Sequence, residues 1–290
     1  MKTKQEINKQ RIKHSNSKEM FISALIIAMF SVSTAGAEEK QQVTEKPPQK
    51  EVSINRYTIF GIPLLSADES LTLGLGVGYS TSPFKGVDDG FCAFPEIMYQ
   101  NGNFFIGTSG IGYSIFSREN YEFTLLGSWR TSEYDSDDSK YLNGMEKRNF
   151  VIEGGAAFTM ETFVGGIGVT VMSDVTNNHK GQSITAEYSF PIGGESWIIE
   201  PVAGVHWQSS KMVDYYYGVR NSEVREDRAA YSGDSTLNPF IALNCAYEIF
   251  GNVLIEGSIS YEFLGNGITN SPLIDDDNIV SGAIMLSYSL

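Results

Sequence analysis

From about residue 53 to the end, apolar and polar positions alternate with a period of two, in stretches separated by Gly, Asn, Asp and Ser. In 253–264, Val253, Ile255, Gly257, Ile259, Tyr261 and Phe263 share one face. Leu254, Glu256, Ser258, Ser260, Glu262 and Leu264 share the other. In 197–208 the face of Trp197, Ile199, Pro201, Ala203, Val205 and Trp207 opposes one carrying Glu200, His206 and Gln208. In 121–132, Tyr121, Phe123, Leu125 and Trp129 oppose Glu122, Thr124, Ser128 and Arg130. Successive strand side chains point to opposite faces, so each stretch has a dry side and a wet side. No amphipathic helix is predicted after residue 53.

Alternation alone fits a soluble β-sandwich. Three features point instead to an all-β fold that closes as an antiparallel transmembrane β-barrel. The stretches exceed the five or six residues of ordinary strands and match the 9–11 residues that cross a bilayer at a tilt. Aromatic pairs such as Trp197 with Trp207 sit near the ends of apolar faces, where interfacial girdles belong. Short turns (Asn101-Gly102, Gly193-Gly194, Gly251-Asn252) contrast with longer polar connections. Strands are expected at 70–82, 91–100, 103–116, 121–134, 148–159, 163–173, 182–192, 196–209, 237–249, 253–265 and 280–290. Bacterial single-chain barrels have an even strand number. Either 53–62 (SINRYTIFGI) supplies a twelfth, which is the favoured count, or one early segment is a loop and ten remain.

The last strand places Ile284, Leu286, Tyr288 and Leu290 on one apolar face. This ending resembles the signal read by barrel-assembly machinery, with Leu290 where most such chains have Phe. The other end is read as export material. Lys2, Lys4, Lys9, Arg11, Lys13 and Lys18 precede an apolar run from Met20 to Phe30 and the A-x-A site Ala35-Gly36-Ala37. Those are the three parts of a secretory signal peptide, residues 1–37, cleaved after Ala37. Residues 38–52 are polar, aperiodic and contain Pro47-Pro48, the composition of a flexible periplasmic leader. The barrel then occupies 53–290, in the outer membrane of a Gram-negative cell.

Charge narrows the partners. The signal holds 6 of the 21 Lys and Arg and 2 of the 35 Asp and Glu. The mature chain is therefore strongly acidic, which excludes nucleic acid as a partner. Outer-membrane lipid and lipopolysaccharide remain as surroundings. Cys92 and Cys245 both fall in strand segments, and are read as buried or lipid-facing thiols before a disulfide.

Three stretches resemble the MipA/OmpV family. Leu73-Gly74-Leu75-Gly76-Val77-Gly78 is followed by Pro83-Phe84-Lys85-Gly86 and Phe94-Pro95-Glu96-Ile97-Met98-Tyr99. Pro201 leads through Gly204-Val205-His206-Trp207 to Tyr216-Tyr217-Gly218-Val219. Ile268-Thr269-Asn270-Ser271-Pro272-Leu273-Ile274 precedes the last strand. The resemblance implies an outer-membrane barrel; the lack of any catalytic motif in the chain is read as no enzyme and no cofactor. The resemblance also implies a scaffold role, bringing a murein lytic transglycosylase to a bifunctional murein synthase. Other members resemble porins or adhesins.

A search for chemistry yields little. His206 shares the wet face with Glu200, a possible base–carboxylate pair, but no hydrolase-like serine accompanies it. His179, within Thr176-Asn177-Asn178-His179-Lys180-Gly181, is read as a solvated loop histidine. The runs 135–138 (DSDD) and 275–277 (DDD) lack the spacing of a calcium loop and are read as a hydrated acidic rim, so no metal is assigned. Inward positions fall to Glu122, Glu153, Glu187, Glu200, Glu248, Glu256 and Glu262, against Arg130. Such carboxylates favour cations in a water-filled pore, or pair within a plugged one. Finally, 211–235 is the longest connection. Its Tyr216, Tyr217 and Gly218 are expected to anchor an ordered lid over the extracellular mouth, with the tyrosine hydroxyls kept wet.

Overall fold

The computed structural model describes residues 69–118 and 120–290. The signal peptide with Ala35 and Ala37, the leader 38–52 and the segment 53–62 lie outside the described residues. Twelve antiparallel strands form one sheet: β1 (Ser70–Ser80), β2 (Gly90–Asn101), β3 (Phe104–Gly107), β4 (Gly110–Arg118), β5 (Tyr121–Arg130), β6 (Val151–Thr162), β7 (Gly165–Asp174), β8 (Gln182–Ser189), β9 (Trp197–Gln208), β10 (Thr236–Phe250), β11 (Val253–Phe263) and β12 (Asn278–Ser289). After a break at Pro191, β8 resumes over Ile192–Gly193 in the same register against β9. Each strand pairs with its sequence neighbours, and β12 pairs with β1 from Thr72↔Ser289 to Ser80↔Ser281. The sheet is thereby closed.

The count of twelve is reached by a different route from the one the alternation suggests. The stretch 103–116 is two strands: β3 and β4 form a hairpin with Gly107 opposite Gly110 across Thr108-Ser109. No contribution from 53–62 is needed.

Alternation decides which side chains face the lumen. On β1, Leu73, Leu75 and Val77 are exposed on the outer surface while Gly76, Gly78 and Ser80 are covered inside. Gly76 is required by a close approach: a Cβ there would stand 2.4 Å from the Phe94 ring. Cys92 is buried on the inner face and Cys245 exposed on the outer, both as free thiols.

Short turns close one end, at 102–103, 163–164 and 251–252, and the long connections gather at the other. In outer-membrane barrels the short turns are periplasmic and the long loops extracellular. The long connections are not irregular throughout. They contain α1 (Ser210–Tyr217) and α2 (Asn266–Thr269), which a period-two pattern does not reveal.

Candidate functional site

Segments 81–89, 131–150, 209–235 and 264–277 build a cap over the long-loop end of the barrel. Helix α1 starts the third segment and turns Met212, Val213, Tyr216 and Tyr217 to the same side, a helical spacing. These four pack with Phe84, Tyr134, Leu142, Met145, Leu264, Ile268 and Leu273 into a hydrophobic core of the cap's own. Phe84 and Tyr217 stack with ring centroids 5.6 Å apart. Gly218 ends α1 where its N–H meets the Asp214 carbonyl at 3.0 Å, and a Cβ would come within 2.2 Å of that oxygen.

Charge laces the cap together. Arg148 Nη1 donates to Glu223 Oε1 at 3.0 Å, with both side chains 1 % exposed. The Glu223 carboxylate also accepts the backbone N–H groups of Arg220 and Glu146. Burial would push this carboxyl up, but the hydrogen bonds from Arg148 and the two backbone N–H groups outweigh it and hold it below the usual glutamate range. Arg228 donates to the carbonyls of Tyr141, Asn143 and Glu223, and Arg225 to those of Lys140 and Asn143. Ser271 Oγ donates to the Tyr217 carbonyl, and Tyr231 Oη to that of Gly267, so α2's segment joins the same body.

Beneath the cap lies a polar layer that ties it to the wall. Tyr217 Oη donates to Glu133 at 2.6 Å, and Arg130 stands 3.2 Å from Glu153 and 3.9 Å from Glu133. His179 Nε2 lies 3.4 Å from Glu153, and His206 Nδ1 lies 3.7 Å from Glu262. Two expectations are corrected here. His179 is buried against Tyr215 and Tyr216 and is not a solvated loop residue. The Tyr216 and Tyr217 hydroxyls are not wet: Tyr216 Oη is buried without a hydrogen-bond partner, and Tyr217 Oη is taken up by Glu133.

The expected lumen carboxylates lie on the inner face at different heights. Glu122, Glu200 and Glu256 are near the periplasmic ends of their strands, and Glu262 is near the cap. Each accepts a hydrogen bond from the protein: Glu122 from Thr124, Glu200 from Asn244, Glu256 from Ser287 and Glu262 from Asn238. They do not converge on one point, and His206 meets Glu262 instead of Glu200. Sequence reasoning misses Glu96, inward on β2 beneath the Thr108 hydroxyl, as well as Glu133 and the Arg148–Glu223 pair. Of the acidic runs, Asp275, Asp276 and Asp277 are exposed, with Asp275 3.8 Å from Lys85. At the C-terminus, Ile284, Leu286, Tyr288 and Leu290 are exposed on the outer surface, and the Leu290 N–H reaches the Leu71 carbonyl at 2.9 Å.

A family model described as MltA-interacting protein MipA matches residues 73–290, which spans the described barrel and cap. The chain belongs to this family. The outer membrane protein YiaT of Escherichia coli (strain K12) is 28 % identical over 231 residues, covering 77 % of this chain and 93 % of YiaT. The MltA-interacting protein of the same strain is 26 % identical over 214 residues, covering 72 % of this chain and 86 % of that protein. OmpV of Vibrio cholerae is 27 % identical, covering 70 % of this chain and 80 % of OmpV. YiaT and OmpV are named as outer membrane proteins, and the fold found here is the one such a location demands. This member of the family is an outer-membrane β-barrel.

Proposed function

We propose that this barrel is a non-enzymatic scaffold of the cell envelope, holding murein-processing enzymes at its periplasmic end. The observation that carries the reading is the cap. The long connections share a hydrophobic core and a buried ion pair above the lumen, a body built to be presented at that end. The name of the MltA-interacting relative supports a murein transglycosylase as one partner; a murein synthase is the second. At the opposite end, the β6–β7 turn presents Phe163 fully exposed, an apolar grip that a periplasmic partner would cover.

The test is a pull-down from detergent extract with the full-length protein. Recovery of a murein transglycosylase, weakened by Phe163→Asp, supports the scaffold. Recovery of neither a transglycosylase nor a synthase overturns it. A small cation-preferring channel is the second reading, supported by the inward carboxylates Glu122, Glu200, Glu256 and Glu262.

A further inference from the structure

The rim at the long-loop end is unevenly charged. Most of its cations have partners: Lys85 pairs with Asp275, Arg148 with Glu223, Arg220 with Glu146 and Arg225 with Asp227. Lys147, Lys180 and Lys211 are exposed, and among the described residues their ammonium groups are in no ion pair. They come from three different connections and are drawn to one flank. The Ser209 N–H donates to the Gln182 carbonyl at 2.9 Å, and a Cβ on Gly181 would stand 2.6 Å from the Met212 nitrogen, so Lys180 and Lys211 adjoin one backbone contact. Tyr215, one helical turn after Lys211, accepts the Asn149 N–H at 2.6 Å, and the Asn178 side chain donates to the Phe150 carbonyl at 2.8 Å. Lys147 is thereby held beside the other two.

Directly below this flank the outer wall is apolar. Phe150, Ile152, Val175 and Ile184 are exposed. Val175 lies on the outer surface over Gly154, where a Cβ would meet its Cγ1 at 3.1 Å. Trp129 and Trp207, paired with Ile152 and Ile184, border the band as an interfacial girdle does. Each lysine stands three or four residues beyond it: Lys147 before Phe150, Lys180 before Ile184 and Lys211 after Trp207. Strands β6 to β9 are consecutive, so the flank is three strand spacings wide, about 14 Å. Neighbouring carboxylates are engaged within the protein: Asp174 by the Thr176 hydroxyl and the Lys180 backbone N–H, Asp214 by the Gly233 N–H, and Glu146 by Arg220. The far side of the rim differs. There 81–89 and 264–277 carry Asp88, Asp89, Asp275, Asp276 and Asp277 against Lys85 alone.

We propose that the lysine flank binds the phosphate groups of a lipopolysaccharide molecule, whose acyl chains lie against the apolar band below. Charge complementarity selects this partner. Free ammonium groups above an apolar outer surface match an amphiphile that is anionic at its head, and lysine acts toward phosphate as a point charge. Location selects it again, because the long loops of outer-membrane barrels lie on the extracellular side, where the leaflet is built from this lipid. The acidic far side can hold the same lipid only through a bridging divalent cation. The two sides of the rim therefore differ in their response to a chelator.

The test titrates the full-length protein, in micelles of a neutral detergent, with fluorescently labelled lipopolysaccharide in EDTA, which removes cation bridging. Lys147→Gln, Lys180→Asn and Lys211→Gln together should weaken binding roughly 100-fold. Asn is chosen at 180 because the backbone there has a φ of 55°, which Asn tolerates. Lys140→Gln is the control: Lys140 is an exposed rim lysine whose neighbour Ser139 donates to the Lys85 carbonyl, away from the flank, and its loss should change nothing. Lipopolysaccharide stripped of its phosphates should bind the unaltered protein as weakly as the intact lipid binds the triple variant, and phosphatidylglycerol should bind clearly more weakly than lipopolysaccharide. Undiminished binding by the triple variant, an equal loss in Lys140→Gln, full binding of the stripped lipid, or equal binding of phosphatidylglycerol would each overturn the proposal. Should the triple variant lose its heat-modifiable fold, Lys211→Gln alone, on the exposed side of α1, must weaken binding about fivefold; no change there has the same meaning.

Discussion

Arg148 and Glu223 are 75 residues apart in sequence and 3.0 Å apart in the structure, joining two long connections inside the cap. Removing one partner of a buried pair leaves an uncompensated charge and costs about 3–5 kcal/mol. Arg148→Ala and Glu223→Gln should each expose 131–150 and 209–235 to protease in intact cells, with the barrel still heat-modifiable on a gel. Cleavage no faster than in the unaltered protein would contradict the pairing.

The same pair predicts a pH dependence. Glu223 titrates below the ordinary glutamate value when folded. Its contribution is therefore present above the unfolded pKa and lost as pH falls through the folded one. Protease resistance of the cap should hold at neutral pH and decline once the medium is more acidic than about pH 4.5, the ordinary glutamate range. In Glu223→Gln that acid-dependent step should be missing.

The neighbouring tyrosines should respond differently to loss of a hydroxyl. Tyr216 Oη is buried without a partner, so Tyr216→Phe should leave cap stability unchanged or raise it. Tyr217→Phe strips Glu133 of its hydrogen bond and should cost about 1–3 kcal/mol. Tyr216→Ala with Tyr217→Ala should open 209–235 to protease outright, since a buried aromatic truncated to Ala costs about 3–5 kcal/mol. Comparable cleavage of the two Phe variants would contradict the assignment.

The barrel wall is legible in the amino-acid sequence because half of each strand faces lipid. Period-two alternation puts Glu200, Glu256 and Glu262 opposite Ile199, Ile255 and Tyr261 without reference to any contact. Long-range contacts and one unmarked turn are not legible in that way. Thr108-Ser109 carries no Asn-Gly signal, and neither residue has a positive φ, so 103–116 reads as one strand. His179 sits among Asn177, Asn178 and Lys180, the surroundings of a solvated loop; Glu153 and Tyr216, distant in sequence, bury it. Helix α1 is short and ends in three tyrosines, a residue type that leans toward strands, and its apolar side matters only against the other three loops.

Packing between neighbouring strands β1 and β2 gives a fourth test. Gly76→Val would drive a side chain into the Phe94 ring, and overpacking of this kind costs about 1–3 kcal/mol. The heat-modification midpoint should fall, and Phe94→Leu in the same chain should restore most of it. Independent, additive losses would contradict direct contact.

The scaffold reading depends on a barrel that works by what it presents and not by what it conducts. Planar-bilayer recording of the purified full-length protein tests this directly. The unaltered protein should show no steady conductance, and deletion of 211–235 should open a cation-preferring pore. A steady, cation-selective conductance from the unaltered protein would contradict the account.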